Sequence, residues 1–269
     1  MDEQRLDAAL AARGLARSRT HAQELIEKGI VRVNGKPVIK PSLKVTDETE
    51  LSVEGLDHYV SRAAHKLIAA LDAFDVDVRG RRALDVGAST GGFTQVLLER
   101  GVEHVVALDV GHNQISPKFR GDDRVSIVEG VNARYLNASN LAGILGKPYE
   151  PNFVVADLSF ISLTHVIPAM LATATANADY VLLIKPQFEV GRTGVREGIV
   201  TNPALREDAI NAVLWNAWDA GLETVDIISS PILGGAGNNE YIAWFRAGRQ
   251  LNPSQWRDTV HKLAGGLRG

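Results

Sequence analysis

The fold is decided by the stretch Arg82-Ala-Leu-Asp-Val-Gly-Ala-Ser-Thr-Gly-Gly-Phe-Thr94, an apolar run that enters a glycine-rich turn and continues into a helical pattern. Glycine takes turn dihedrals and leaves room for a ligand, because it has no Cβ. The spacing D-x-G-x-x-x-G-G lacks the G-x-G-x-x-G register of a loop that binds a dinucleotide pyrophosphate. Since S-adenosylmethionine has no pyrophosphate to place at a helix N-terminus, the spacing favours that cofactor. An ordinary strand-to-helix turn is the alternative.

Strand patterns alternate with helical patterns from Arg82 onward, which predicts an α/β fold with a mostly parallel, doubly wound sheet. The predicted strands span residues 83–86, 104–109, 125–129, 153–157, 180–184, 225–229 and 241–246. The predicted helices span residues 93–100, 163–176 and 204–220. Seven strands suit the Rossmann-like sheet of a class I methyltransferase.

A smaller unit precedes this sheet. Helical patterns cover residues 5–13 and 18–28. A strand pattern after them contains Asn34-Gly35, the strongest short signal for a β-hairpin, and a further strand is predicted at 49–53. The sequence therefore predicts a small α+β module in front of a large α/β domain.

Composition narrows the possible functions. The chain has 269 residues, a formal net charge of −3 and no cysteine. The charge excludes a globally basic protein, so any nucleic-acid binding needs a local basic patch. The absence of cysteine excludes disulfides, thiolate metal sites and the cysteine adduct used to methylate pyrimidine C5. No signal peptide or membrane-spanning run is visible, so a soluble cytoplasmic protein is expected.

A local excess of positive charge lies between residues 13 and 44. This segment contains eight basic residues and only two acidic ones, Glu24 and Glu27, a surplus of six (8 minus 2). The basic residues are Arg13, Arg17, Arg19, Lys28, Arg32, Lys36, Lys40 and Lys44. The solvated surface of a small module is one interpretation. Contact with a phosphate backbone, which adds affinity without sequence choice, is the other.

Charged residues stand at the carboxyl ends of four predicted strands, where ligands bind in such sheets. They are Asp85, Asp109, Asp157 and Lys185. An acid about 20 residues after a glycine loop is the expected partner of the cofactor ribose, which favours that role for Asp109 over a polar turn. Asp157 and Lys185 could form a structural ion pair, but opposite charges beside a cofactor loop favour catalysis.

The residues after Asp157 indicate the methyl acceptor. They read Leu158-Ser159-Phe160, without the paired prolines with which amino-group methyltransferases usually hold a flipped base. With cysteine chemistry also excluded, a hydroxyl is the favoured acceptor, and a ribose 2′-hydroxyl fits a basic RNA-binding module. The hydroxyl must lie in line with the sulfonium methyl and lose its proton, and a desolvated lysine can take that proton.

The first unit contains two consecutive motifs. They read L-D-x-x-L-x-x-x-G-L-A-x-S-R from Leu6 and A-x-x-L-I-x-x-G-x-V-x-V-N-G from Ala22. With these motifs the unit resembles the S4-type RNA-binding domains. The resemblance implies that the leucines form a core and that five basic residues face RNA. These residues are Arg17, Arg19, Lys28, Arg32 and Lys36.

Further motifs extend the resemblance over essentially the whole chain. They cover residues 59–67, 157–162, 185–191, 198–203 and 231–240. Within them, Lys66, Asp157, Lys185 and Glu240 match a K-D-K-E tetrad. An S4 domain joined to an FtsJ/RrmJ-like domain with this tetrad resembles the TlyA family, once labelled haemolysins and understood as rRNA cytidine 2′-O-methyltransferases. The resemblance implies an S4 domain at 1–56, a linker at 57–64 and a methyltransferase domain at 65–269.

The same resemblance implies the roles of individual residues. The tetrad would activate the 2′-hydroxyl, residues 85–93 would surround the methionine part of S-adenosylmethionine, and Asp109 would bind the ribose. Asn132 and Ala133 would lie near the adenine. The full set of expected cofactor residues is Asp85, Gly87, Ala88, Ser89, Thr90, Gly91, Gly92, Phe93, Asp109, Asn132, Ala133 and Asp157. The expected partner is ribosomal RNA within ribosomal subunits, bound by a monomer that uses no metal.

Several alternatives stay open from the sequence. Ala63-Ala64 and Tyr59 depart from the two glycines and the tryptophan of many relatives, which concerns the linker more than the chemistry. An RNA-binding assembly factor with an inactive fold is one rival, and a membrane-active haemolysin, which needs an amphipathic or spanning segment, is the other. The modified nucleotide, the choice of 16S or 23S rRNA, the lysine that acts as base and the role of the basic C-terminal tail are not determined.

Overall fold

The computed structural model describes residues 3–16, 18–53, 58–191, 194–195 and 197–265. The chain divides into two units, Met1–His58 and Tyr59–Gly269, and each has its own hydrophobic core. Among the helices of these residues, none combines the length and apolar character that crossing a bilayer requires.

The small unit combines two helices with short strands. Its elements are β1 (Gln4–Arg5), α1 (Leu6–Ala12), α2 (Arg19–Glu27), β2 (Val31–Val33), β3 (Lys36–Pro37), β4 (Lys44–Val45) and β5 (Leu51–Val53). β2 lies between β3 and β5, and β1 pairs with β4, all antiparallel. The predicted hairpin is confirmed, because Asn34 (φ 48°) and Gly35 (φ 75°) both take the left-handed conformation that a type I′ turn requires.

The large unit is a seven-stranded sheet with helices on both faces. Its strands are β6 (Arg82–Val86), β7 (His104–Asp109), β8 (Val125–Glu129), β9 (Phe153–Ala156), β10 (Asp179–Ile184), β11 (Leu222–Ser229) and β12 (Tyr241–Ala247). Its helices are α3 (Ala64–Phe74), α4 (Gly92–Glu99), α5 (Ala138–Leu145), α6 (Ile167–Thr173), α7 (Pro186–Glu189), α8 (Pro203–Asp219) and α9 (Arg257–Leu263).

The strand order is β11-β12-β10-β9-β6-β7-β8. β12 runs antiparallel to both of its neighbours, and the other neighbouring strands are parallel. The sheet is therefore mostly parallel, and the predicted Rossmann-like α/β fold is confirmed.

Side chains of the central strands alternate between two hydrophobic cores, as a pleated strand requires. In β9, Val154 packs in the core formed with α5, α6 and α8. Phe153 and Val155 pack in the core formed with α3 and α4. Because both faces are buried, the carboxyl ends of β6, β9 and β10 are held at fixed positions beside one another.

The helix predicted at 163–176 is interrupted in the structure. A 3-10 turn covers Leu163–His165, and α6 begins only at Ile167. Pro168 stands in the first turn of α6, where a residue without an N–H is tolerated. In one continuous helix the same proline would remove an internal hydrogen bond, so the chain starts a new helix there.

Candidate active site

A cavity of about 340 Å³ opens in the large unit where the carboxyl ends of β6, β9 and β10 meet. Its wall combines the glycine loop after β6, residues that follow β9 and β10, and the start of α3. The lining residues are Ser61, Arg62, Ala63, Lys66, Asp85, Gly87, Ala88, Ser89, Gly92, Phe93, Asp157, Ser159 and Lys185. This is the edge at which open α/β sheets bind their ligands.

Two lysines and two carboxylates form a continuous chain of ion pairs beside this cavity. Lys66 Nζ lies 2.6 Å from Glu240 Oε2 and 3.6 Å from Asp157 Oδ2. Lys185 Nζ lies 2.6 Å from Asp157 Oδ1. Both lysines and Glu240 are buried, and the Asp157 side chain is 14% exposed. The structure thus brings the four residues of the expected tetrad together, in an arrangement of balanced charge.

The sheet explains how distant parts of the chain meet in this ion-pair chain. Asp157 directly follows β9, Lys185 directly follows β10, and the remaining lysine lies on α3. Glu240 directly precedes β12, which runs antiparallel to β10 with Tyr241 opposite Ile184. Because of this register, the start of β12 and the end of β10 lie at the same edge of the sheet.

The segment after Asp157 carries two further groups of interest. Ser159 Oγ accepts a hydrogen bond from Lys185 Nζ at 3.0 Å. Phe160 has a left-handed φ of 66° and is 91% exposed. Its ring centroid lies 5.3 Å from that of Phe188. A bulky residue in this conformation is a backbone outlier, and such outliers cluster at functional sites.

Asp85 is a fully buried carboxylate in the wall of the cavity. Thr94 Oγ1 donates a hydrogen bond to Asp85 Oδ2 at 2.6 Å, whereas Asp85 Oδ1 has no hydrogen-bond partner. Burial raises the pKa of Asp85 to about 7, the Thr94 hydrogen bond opposes that rise, and the charge of Asp157 adds to it. A buried oxygen without a partner at a cavity wall is a position at which a bound ligand can supply the donor.

Two glycines of the loop, Gly87 and Gly91, are required by different neighbouring groups. A Cβ on Gly87 (φ 81°) would lie 2.9 Å from the Asp157 carbonyl oxygen, so this residue keeps two strand ends close together. A Cβ on Gly91 (φ 93°) would lie 2.4 Å from the Phe119 ring. Gly87 lines the cavity but Gly91 does not. The space beside Gly91 is therefore occupied by the Phe119 ring and is not part of the cavity.

Asp109 ties the loop to the end of β7. Asp109 Oδ2 accepts a hydrogen bond from Ser89 N at 2.8 Å, and Oδ1 accepts one from Gly111 N at 2.7 Å. Ser89 itself takes a left-handed φ of 49°. A carboxylate has about four acceptor positions, so Asp109 can still accept from ribose hydroxyls. Asp109 also stabilises the conformation of the loop through these two hydrogen bonds, a role that the sequence did not predict.

Several of the expected cofactor residues do not line this cavity. They are Thr90, Gly91, Asp109, Asn132 and Ala133. Asn132 Oδ1 accepts a hydrogen bond from Arg134 N at 3.0 Å and caps a 3-10 turn that begins at Ala133. Conversely, Ser61, Arg62, Ala63 and Ser159 line the cavity and were missed. The signal for the first three was their place in the 59–67 motif.

The basic residues of the small unit differ in their surroundings. Lys28 and Lys36 are exposed, and the Arg32 guanidinium donates to the Gly35 carbonyl at 3.1 Å. The Arg19 guanidinium lies 3.4 Å from the buried carboxylate of Asp7.

Asp7 also accepts hydrogen bonds from Arg5 and Gln23, and the Arg5 hydrogen bond lowers the pKa of Asp7 well below its ordinary value. Arg13 donates to the carbonyls of Thr46 and Thr49, both at 2.6 Å, so it fastens a loop of the unit. Arg17 lies outside the described residues.

In the ranges that the structure describes, no cluster of three His, Asp or Glu side chains could hold a metal ion.

The sheet and the cavity at its carboxyl edge define a Rossmann-like methyltransferase fold. Residues 59–247 match the FtsJ-like methyltransferase family, and residues 4–51 match the S4 domain family. The chain is 48% identical over 263 residues to the 16S/23S rRNA (cytidine-2′-O)-methyltransferase TlyA of Mycobacterium tuberculosis, covering 96% of each chain.

Two further relatives cover nearly the whole chain. Hemolysin A of Brachyspira hyodysenteriae is 40% identical, over 90% of this chain and 99% of its own. A solved structure from Streptococcus thermophilus that carries the name hemolysin superposes with a TM-score of 0.75 at 35% identity, covering 99% of this chain and 96% of its own. The chain belongs to the TlyA family of FtsJ-like methyltransferases.

Proposed function

We propose that the protein transfers a methyl group from S-adenosylmethionine to the 2′-hydroxyl of a cytidine in ribosomal RNA, 16S, 23S or both. The observation that carries this proposal is the buried ion-pair chain of Glu240, Lys66, Asp157 and Lys185 beside the glycine loop. Relatives named as rRNA (cytidine-2′-O)-methyltransferases supply the substrate class.

The cavity fits the proposed cofactor, which supplies an electrophilic methyl group when bound. Asp85 Oδ1 is buried and lacks a donor, and the ammonium group of a methionine moiety is a donor of complementary charge. Gly87 lines the cavity without a side chain, and a Cβ there would lie 2.9 Å from the Asp157 carbonyl oxygen. The wall is otherwise built largely from small residues, which leaves space for a ligand of this size.

Lys185 is the proposed proton acceptor. Its Nζ contacts one carboxylate, Asp157, and the neutral hydroxyl of Ser159, whereas Lys66 contacts two carboxylates. When Lys185 is neutral, Asp157 still has Lys66 as a cationic partner. The neutral amine then takes the 2′-hydroxyl proton as the ribose oxygen bonds to the methyl carbon, whose bond to the cofactor sulfur breaks with the electron pair left on sulfur. Glu240 contributes by holding Lys66 in place.

Two surfaces are proposed to receive RNA. On the small unit, Lys28 directly follows α2, and Arg32 and Lys36 lie on the hairpin strands β2 and β3; these three supply phosphate contacts. Arg19, beside Asp7, and Arg17 complete the expected set. On the large unit, Phe160 presents an exposed ring next to the residues that surround the proposed acceptor site. An exposed aromatic ring is a platform on which an unpaired base can stack.

The remaining parts of the proposal follow from this chemistry. The four charged side chains supply both the base and the charge balance, so the proposed reaction uses no metal. One chain contains all the proposed catalytic side chains, which fits action as a monomer. A ribosomal RNA substrate supports the cytoplasm as the proposed location of the reaction.

The test is methyl transfer by the purified full chain from radiolabelled S-adenosylmethionine to isolated ribosomal subunits. Reverse-transcription stops at low nucleotide concentration then map 2′-O-methyl groups. A new stop at a cytidine, dependent on both protein and cofactor, is the expected result. Label on a base atom, or no label in either subunit, would overturn the proposal, and liposome leakage without methyl transfer would favour the haemolysin alternative.

A further inference from the structure

A closed loop before β12 delivers Glu240 to the ion-pair chain. Gly234 N donates a hydrogen bond to the Asn238 carbonyl at 2.9 Å. Ser230 N donates to the Glu240 carbonyl at 2.8 Å, across the base of the loop. These backbone bonds join both ends of the loop to one another, so its shape fixes where the Glu240 side chain begins.

Asn238 fastens this loop to a second segment of the large unit. Its side chain is buried, and its Nδ2 donates to the Gly198 carbonyl at 2.7 Å. Its Oδ1 accepts from Val200 N at 2.9 Å. Both ends of the amide are therefore satisfied by the backbone just before α8. The Asn238 side chain therefore joins the sequence motifs at 198–203 and 231–240. Of the residues in these two motifs, only Glu240 belongs to the tetrad.

Gly234 faces the carboxylate of Glu240 directly. A Cβ on Gly234 would lie 2.4 Å from Glu240 Oε1 and 3.0 Å from its Cδ. The φ of Gly234 is not left-handed, so the backbone itself does not exclude an alanine. The obstacle is the carboxylate, which must shift from its present position beside Lys66 to make room for the added methyl group.

We propose that Gly234, in the loop that Asn238 fastens, is a positioning residue for methyl transfer that holds the Glu240 carboxylate against Lys66. This inference rests on the proposed function and extends it from the ion-pair chain to the loop behind it. Gly234 does not line the cavity. Its effect on the reaction therefore passes through Glu240.

The test compares Gly234→Ala with Gly235→Ala. A Cβ on Gly235 has Arg62 Nη2, at 4.0 Å, as its nearest neighbour, and the φ of Gly235 is not left-handed either. We expect Gly234→Ala to lower kcat by roughly 10- to 100-fold, because small misplacements of catalytic groups have effects of that order. The affinity for S-adenosylhomocysteine should stay unchanged, and Gly235→Ala should behave as the unsubstituted protein.

A double-mutant cycle with Glu240→Asp separates positioning from a general structural effect. Aspartate is one methylene shorter, so its carboxylate leaves the space that an alanine at 234 would occupy. Gly234→Ala should then have a much smaller further effect on kcat, and a smaller effect on the midpoint of urea unfolding, than it has beside Glu240. The unfolding arm gives a result even where the Glu240→Asp protein is too slow to assay.

The outcomes distinguish the two proposals. Absence of methyl transfer by the unsubstituted protein would overturn the proposed function, and the unfolding arm would still test the contact. Transfer by that protein with equal rates for Gly234→Ala and Gly235→Ala would overturn the positioning role alone. Equal losses from Gly234→Ala in both backgrounds would do the same, because they would show that the alanine does not act through Glu240.

Discussion

Lys66 and Glu240 are 174 positions apart in the sequence, and their Nζ and Oε2 atoms form a buried ion pair of 2.6 Å. α3 carries the lysine, and the loop before the reversed strand β12 carries the carboxylate. Removing two charges from water is unfavourable, so a buried pair of this kind is weak evidence for stability. Its position beside the cavity supports the chemical role proposed for it.

Breaking this pair on one side should destabilise the protein. Lys66→Met leaves Glu240 without its buried cation, and we expect the free energy of unfolding to fall by about 3–5 kcal/mol. Lys66→Met combined with Glu240→Leu should recover most of that loss, because the unpaired charge is gone. Urea denaturation measures both. Arg79→Met, which breaks an exposed pair with Asp77, is the control and should cause no measurable change. An equally small effect of Lys66→Met would contradict the buried pairing.

Lys185→Ala should abolish most of the methyl transfer. Loss of a general base lowers rates by on the order of 10²- to 10⁴-fold, and we expect a fall of that size in kcat with cofactor binding still measurable. Lys185→Arg keeps the charge but cannot release a proton, so it should be equally slow. Lys147→Ala, an exposed lysine in the connection leading to β9, is the matched control. Substantial activity in Lys185→Arg would show that charge, not proton transfer, is what Lys185 supplies.

Cofactor binding should depend on pH through Asp85. Its pKa is raised to about 7 by burial, so the carboxyl is largely protonated below that pH and ionised above it. Only the ionised form attracts an ammonium group, and the Kd for S-adenosylhomocysteine should fall as pH rises from 5.5 towards 8, by up to about tenfold per unit below pH 7. Calorimetric titration across this range measures the change.

Two substitutions test whether Asp85 is the responsible group. Asp85→Asn should remove the pH dependence. Thr94→Val removes a hydrogen bond that lowers the pKa of Asp85, so the midpoint should move to higher pH. The same carboxyl affects folding: its folded pKa lies above the ordinary value of 3.8, so its stabilising contribution is fully present below pH 4 and is lost as pH rises towards 7. A midpoint that does not move in Thr94→Val would assign the titration to another group.

RNA binding should lose salt dependence when exposed lysines of the small unit are neutralised. The binding constant K falls as salt rises, so the slope of log K against log salt is negative. Lys28→Gln combined with Lys36→Gln should reduce the magnitude of this slope by about 1 for each lysine that contacts a phosphate. Filter binding to ribosomal RNA at several salt concentrations measures the slope. Arg13→Gln is the control, because Arg13 is bonded to backbone carbonyls; it should lower thermal stability and leave the slope intact. A slope unchanged by the lysine substitutions would place the RNA on another surface.

Most of the sheet could be predicted from local patterns. Each central strand is an apolar run bounded by turn residues, and β7 and β8 have the predicted limits. The break before α6 was missed because the apolar pattern continues through Pro168, although the proline requires a new helix. α3 was not predicted as a helix, although its buried residues Leu67, Leu71 and Phe74 have helical spacing.

The site was less accessible to sequence reasoning. Asp85, Asp157 and Lys185 could be predicted to lie together, because ligands bind at the carboxyl ends of parallel strands. Lys66 and Glu240 could be added to this site only from the family resemblance, because contacts between residues so far apart in the sequence leave no local pattern. The structural contacts of the loop residues could not be predicted from the sequence for the same reason. That Asp109 holds Ser89, or that Phe119 fills the space beside Gly91, depends on atoms from separate elements.

The direction of β12 has a consequence for synthesis of the protein. Asp157 and Lys185 stand after their strands, but Glu240 stands before its strand, which is the last of the sheet in chain order. A nascent chain therefore carries the cofactor loop, both lysines and Asp157 before the carboxylate that holds Lys66 has been made. The ion-pair chain is therefore completed only after the start of β12 has been synthesised, so a nascent chain that stops before Glu240 lacks one of the four proposed catalytic side chains.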